Sequence, residues 1–455
     1  MRAVPERLRL SKNWLMVAVP ALVLLLAVGL SWRGGRSSLL LALLPLLLLA
    51  GLAAARRPGL TLTVWLLAAL TLRFELGTGT QTTLNLAVLG AAGLFGLYLL
   101  RSFVTRRWAW RRTPADAPLL LLVLAALFSL LAGFLPWNAF AGRASLAAQL
   151  GGWAVFALSA ATFWLAAQQL DETWLRRALT GFLALGGVYL LGRALGMGVL
   201  VRVLAPGADG SLWWVWLAAL SGGLLLFARR LSAWTRGGLL LILLLDVWVG
   251  WQNRSWASGW LPVWVTLAAL IWLRKPWLGF ALTLAVAGGV WLLAPGLLTE
   301  LLAADAYSVD TRRLAWQILV PAVWNTNALL GWGPSNYYFY TPVYPILGYY
   351  VSFNSHNQYV DLFAQVGLLG VGLFGWVVTA LAVWALRLRR LVQTSFGQAY
   401  LAAALAGLAG MLVAGMLGDW LLPFVYNIGL RGMRASLLGW FFLGGLAVWS
   451  KQVHK

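Results

Sequence analysis

Apolar residues in this chain come in long, nearly unbroken runs. A half-buried strand would alternate, and a soluble helix would carry a one-sided stripe. Fourteen runs approach the length of about 20 residues that a membrane-spanning helix needs: 14–31, 37–55, 59–76, 82–100, 117–135, 147–168, 176–195, 211–228, 237–250, 257–273, 277–294, 359–386, 398–417 and 435–449. The runs 237–250 and 435–449 are short enough to be tilted or re-entrant, so the expectation is an all-α polytopic membrane protein of 12–14 spans. The whole chain, 1–455, reads as one integral-membrane domain with one long connection, 295–358. No internal repeat stands out. The first run follows Arg2, Arg7, Arg9 and Lys12 but has no small-residue cleavage site after it, so it reads as an uncleaved first span.

Composition agrees and narrows the function classes. Apolar residues make up 62% and charged residues 10%, whereas soluble domains carry about 25% charged residues. A soluble enzyme, a disordered chain and a DNA-binding domain are excluded. The net charge of +22 is dispersed in short clusters between runs, which argues against nucleic acid as a partner. Counted over alternate connections, 23 of the 34 Lys and Arg residues fall on the side of the N-terminus. The positive-inside bias then places both termini in the cytoplasm and the long connection outside. Many of the 29 Trp residues lie near run ends, among them Trp137, Trp213, Trp214, Trp251, Trp256, Trp277 and Trp420, and read as an interfacial belt. With no cysteine and two histidines, thiolate chemistry and a multi-histidine metal centre are ruled out.

The long connection holds the candidate chemistry. From Asp310 to Val320 it has helical spacing, with Asp310 as the expected cap and Pro321 as the expected kink or end. Arg312 and Trp316 are four residues apart and share a face. Gly331-Trp-Gly333 marks a tight turn, and the prolines that follow predict irregular backbone over the outer surface. Near its end stands His356, flanked by Asn354 and Asn357, with Asp361 five residues on. An imidazole accepts a proton near neutral pH, although a histidine here could equally cap the next helix. Arg254, Arg312 and Arg313 suit phosphate oxygens, or they snorkel to headgroups. Asp246 lies inside a run, where an unpaired carboxylate is expensive and calls for a partner or a role. Asp419, in the last outer connection, is a similar candidate or a solvated residue.

Two stretches carry a family resemblance. Leu330-Gly-Trp-Gly-Pro-Ser-Asn-Tyr337, followed by Asn354-Ser-His-Asn-Gln-Tyr-Val-Asp361 and Gly367-Leu-Leu-Gly370, resembles the O-antigen ligase and O-antigen polymerase superfamily. Arg312-x-x-x-Trp316 and Asn253-Arg254-Ser255 resemble its two arginine motifs, with Asn253 in place of a serine and Gln365 in place of a frequent glutamate. The likeness covers roughly residues 250–370. It implies a glycosyltransferase of the bacterial plasma membrane that needs no metal or other cofactor. The donor would be a glycan on undecaprenyl pyrophosphate, and the acceptor a hydroxyl of a lipid, glycan or protein. By the same likeness His356 is the general base, and Arg254 and Arg312 bind the pyrophosphate. Arg313, Asn354, Asn357, Asp361, Gly331, Gly333 and Asp246 complete the candidate substrate-binding set.

Ligase, chain polymerase and protein O-oligosaccharyltransferase share these motifs and differ in acceptor. A transporter or flippase of lipid-linked precursors is the non-enzyme alternative. It should carry ionisable groups at the bilayer midplane, where Asp246 is the main candidate. A membrane scaffold without chemistry would leave the long connection unexplained.

Overall fold

The computed structural model describes residues 56–77, 83–106, 108, 110–204, 210–253, 256–293 and 306–452. The predicted runs 14–31 and 37–55, Arg254 and His454 lie outside them. In chain order the elements are α1 (Pro58–Thr71), β1 (Glu75–Gly77), β2 (Thr83–Asn85), α2 (Leu86–Thr105), α3 (Asp116–Ala132), α4 (Leu146–Gln169), α5 (Glu172–Ala194), α6 (Gly198–Leu204), α7 (Ser211–Phe227), α8 (Ala233–Gln252), α9 (Ala257–Arg274), α10 (Pro276–Leu293), α11 (Ala306–Asn327), α12 (Tyr337–Tyr340), α13 (Gln358–Leu391), α14 (Ser395–Leu417) and α15 (Met433–Gly444). Every predicted run from 59–76 onward has its helix. Among the described residues, seven helices are long and apolar enough to cross a membrane. The run 237–250 is not a short segment but part of a helix of 20 residues.

The helices start where the chain supplies caps. Asn85, Ser145, Asp171, Ser232, Asn357 and Thr394 each accept a first-turn amide at a helix N-terminus. The core lies where α7 and α15 meet α4 and α14, around Trp213, Trp216, Trp440 and Phe442. Trp213 and Trp214 are therefore not belt residues: both are buried, and their indoles pack edge-on against Tyr189. Trp251 and Trp277 are exposed, as a belt requires.

Hydrogen bonds between connections group several of them at two ends. At one end, Arg111 bonds Gln168 and Leu170, and the amide of Arg229 bonds Ser395. At the other, Asn85 donates to Leu430 O, Asn336 to Gly133 O, and Asn354 to Tyr426 O. This second end, here the loop end, carries the connection between α11 and α13.

In that connection, α11 runs from Ala306 to Asn327, so Asp310 is an exposed residue inside the helix and not its cap. The helix also continues through Pro321. Proline removes one amide bond from a helix. Here the helix is held on both sides of the gap by Ala315, Leu319 and Val323, a buried stripe at four-residue spacing. The backbone after Gly333 is short and irregular, as expected, with α12, one 3-10 turn and an isolated bridge between Ile346 and Tyr349.

The connection is anchored at a break in α13. Gly367 adopts φ 69° and ψ −164°, which interrupts the helical ladder. The 328–333 turn pairs the freed groups. Trp332 N donates to Ala364 O (2.8 Å) and Gly333 N to Gln365 O (3.1 Å). Leu368 N donates to Ala328 O (2.8 Å) and Leu369 N to Leu329 O (3.2 Å). The Ser129 hydroxyl on α3 reaches Leu330 O at 2.5 Å. Only glycine fits at the contact: a Cβ on Gly367 would stand 2.3 Å from Leu329 O, and one on Gly331 2.7 Å from Ala364 O. Both residues have positive φ. Gly367→Ala is expected to destabilise the protein by at least about 2 kcal/mol. Gly372→Ala, at a helical site with open space around it, should be neutral or stabilising. Thermal unfolding of the purified variants checks this, and equal midpoints would contradict it.

Candidate functional site

His356 has φ 49°, in the left-handed region. For a residue with a Cβ that conformation costs about 1–2 kcal/mol, and contacts on both sides hold it. Before it, Ser355 is buried: its carbonyl accepts the Trp316 indole N–H at 2.7 Å, and its hydroxyl meets Asp361 Oδ1 at 2.7 Å. The Tyr337 hydroxyl donates to the same carboxylate oxygen, and the Tyr337 ring stacks on Phe424 at 4.4 Å. After it, Asn357 caps α13 through Tyr359 N and Val360 N. Burial pushes the Tyr337 phenol well up, so it stays a donor.

The imidazole has a partner that the sequence reading did not name. His356 Nδ1 lies 3.2 Å from Asn427 Nδ2, and that amide donates to Asp419 Oδ1 at 2.5 Å. Asp419 is fully buried and also accepts Phe424 N at 2.6 Å, so it is not a solvated loop residue. Burial pushes its carboxyl up.

This chain of groups has two protonation forms. An ionised Asp419 and a lone pair on Nδ1 both suit the two hydrogens of the Asn427 amide nitrogen, and a neutral ring then carries its proton on Nε2. A half-turn of the amide puts its oxygen between them. That form suits a protonated Asp419 and a proton on Nδ1, and leaves the Nε2 lone pair as the base.

The other expected residues divide into groups. Arg312 is half-buried on α11, four residues and so about 6 Å along the axis from Trp316. The Trp316 bond to Ser355 thus draws the guanidinium's helix onto the histidine loop. Arg313 is exposed. Asp361, five residues beyond His356, uses its carboxylate on Tyr337 and Ser355. Asn354 donates to Tyr426 O at 3.2 Å and ties the loop to the 418–428 segment. Gly331 and Gly333 are buried in the α13 contact, where they serve packing. Gln365, in place of a glutamate, accepts Ser335 N at 3.1 Å, a task its neutral amide oxygen performs.

Asp246 stands apart. It is buried in α8 on the wall of a cavity of about 270 Å³ that Arg193, Trp214, Asn253, Trp256 and Trp260 also line. Among the described residues, neither carboxylate oxygen has a hydrogen-bond partner. The Trp256 ring meets Trp420, next to Asp419, edge-on at 6.1 Å, so this cavity adjoins the segment that backs His356.

Of the protein-family models and the curated proteins compared with the chain, none matches.

Among the described residues nothing replaces the hydration that the buried Asp246 carboxylate loses, and such burial opposes folding. Asp246→Asn is therefore expected to raise the thermal midpoint by several degrees, a gain of about 1–3 kcal/mol. A lowered midpoint would show that the charge is paired in the folded protein.

Proposed function

We propose that this protein is a glycosyltransferase that takes a glycan from an undecaprenyl-pyrophosphate carrier at the outer face of the bacterial plasma membrane. It passes the glycan to an acceptor hydroxyl, with the loop end outward and the termini in the cytoplasm. The observation that carries the reading is the strained His356, backed by Asn427 and a buried Asp419, on a loop clasped to the helix of Arg312.

In this reading Nε2 of His356 removes the proton of the acceptor hydroxyl as its oxygen attacks the anomeric carbon. The bond from that carbon to the pyrophosphate oxygen breaks from the opposite side, and the configuration inverts. Charge grows on the departing pyrophosphate, and fixed guanidinium groups stabilise it. Arg312 takes that part here, joined by Arg254 in the motif after α8. The lipid, glycan or protein nature of the acceptor follows from what else docks at the loop end. His356→Ala is expected to lower transfer from a lipid-linked oligosaccharide at least about 100-fold and to leave the thermal midpoint within a few degrees. Full transfer by that variant would remove His356 as the base and favour a carrier without covalent chemistry.

The Nε2 base requires a proton on Asp419. The rate should be bell-shaped in pH and decline as pH climbs through the Asp419 carboxyl, which burial pushes up to about 6. Asp419→Asn supplies an amide N–H in place of the acid proton. It is expected to keep the acidic limb of the pH–rate profile and to lose the alkaline decline. A profile unchanged at high pH would separate Asp419 from the tautomer of His356.

A further inference from the structure

The cavity beside Asp246 lies between α8 and α9, and both helices face it at helical spacing. On α8, Asp246 and Asn253 are seven residues apart and share one face, about 10 Å from each other along the axis. At the start of α9, Trp256 and Trp260 are four apart and stand one above the other. Trp214 on α7 and Tyr189 on α5 bring two further rings to the lining. Asn253 ends α8 on the side of Trp420, so the carboxylate lies at depth and the amide lies toward the loops.

A glycine sets the aromatic wall. A Cβ on Gly259 would stand 2.1 Å from Cε3 of Trp256, so the bare backbone there is what lets the indole lie against α9. Trp420 meets the same ring edge-on, and the fold alone therefore fixes its position. Asp246 supplies the polar half. It is 1% exposed, and both of its oxygens lack a hydrogen-bond partner among the described residues.

The chemistry of the occupant follows. A carboxylate only accepts, with room for about four hydrogen bonds. The occupant must bring donors, and bring them on a body flat and apolar enough for the rings. A metal ion needs several oxygen ligands, and the described lining offers one carboxylate. A lipid tail brings no donor and leaves the carboxylate dry. A pyranose ring meets both demands. Its neighbouring hydroxyls donate in pairs to the two oxygens. The C–H bonds of its flat face, slightly positive, lie on the negative face of an indole. The volume of about 270 Å³ suits one such ring, being just under the about 300–1,000 Å³ of sites for drug-sized ligands.

We propose that this cavity is a carbohydrate subsite, where one pyranose of a glycan stacks on the indoles of α9 and donates hydrogen bonds to Asp246. Which glycan it serves, donor or acceptor, rests on the glycosyltransferase reading, and the binding of the ring does not.

The test uses the full chain in phosphatidylcholine nanodiscs and saturation-transfer NMR with the methyl glycosides of glucose, galactose, mannose, rhamnose and N-acetylglucosamine. At least one is expected to receive saturation at its ring protons in the wild type. Asp246→Asn should weaken that binding about tenfold or more while the thermal midpoint holds or rises, a split that a merely structural carboxylate does not produce. Gly259→Ala, which pushes the Trp256 ring aside, should weaken it as well. Displacement of the glycoside by a lipid-linked oligosaccharide assigns the subsite to the donor, and displacement by the carrier-free glycan alone assigns it to the acceptor. Full transfer by His356→Ala, with glycoside binding still dependent on Asp246, sinks the transferase reading and leaves the subsite standing. Equal binding by wild type and Asp246→Asn overturns the proposal. So does binding of tetramethylammonium in place of every glycoside, which would make the rings a cation cage, and so does the binding of no glycoside at all.

Discussion

Backbone polar groups inside a bilayer have no water to turn to, so a broken helix survives only where another segment pairs what the break exposes. The rest of the loop end depends on how this chain meets that constraint at Gly367. The interruption of α13 frees the carbonyls of Ala364 and Gln365 and the amides of Leu368 and Leu369, and the 328–333 turn bonds to all four. The turn cannot move without exposing them. It therefore fixes the end of α11 on one side and the start of α12 on the other. Ser335 and Asn336 extend the seam to Gln365, Ala148 and Gly133. From 328 to 336 the connection is thus packed into the bundle.

From that anchor the polar groups are distributed by burial. Asp361 and Asp419 are both buried at the loop end but have different work. Asp361 gathers Tyr337 and Ser355 and shapes the backbone that enters His356. Asp419 acts on the ring itself through Asn427. The 419–434 segment then carries on from the amide that faces the imidazole to the arginines that share Glu75.

Much of this was legible in the sequence, for physical reasons. Spans that must be apolar on every face leave long runs, so α1 to α5, α7 to α10 and α13 to α15 could be placed without periodicity. Arg312 and Trp316 were correctly put on one face, since that depends on local helix geometry alone. Local rules failed where tertiary contacts overrode them. Pro321 does not end α11, because a buried stripe holds the helix across it. Trp213 and Trp214 sit near a helix end yet belong to the core. The partnership of His356 with Asn427 and Asp419 joins residues more than 60 positions apart, and so does that of Glu75 with Arg431 and Arg434. No spacing rule reaches that far. A carboxylate in a loop reads as solvated until the fold shows it buried.

The central claim is that a pyrophosphate-linked lipid docks at the loop end beside His356. Photo-crosslinking tests it most directly, with undecaprenyl pyrophosphate carrying a diazirine next to the phosphates. The account predicts adducts on peptides that contain Arg312 to Trp316, Asn354 to Gln358 or Asp419 to Arg434, and their loss when unlabelled carrier competes. Adducts confined to the opposite end, around Arg111, Arg229 and Ser395, would contradict it.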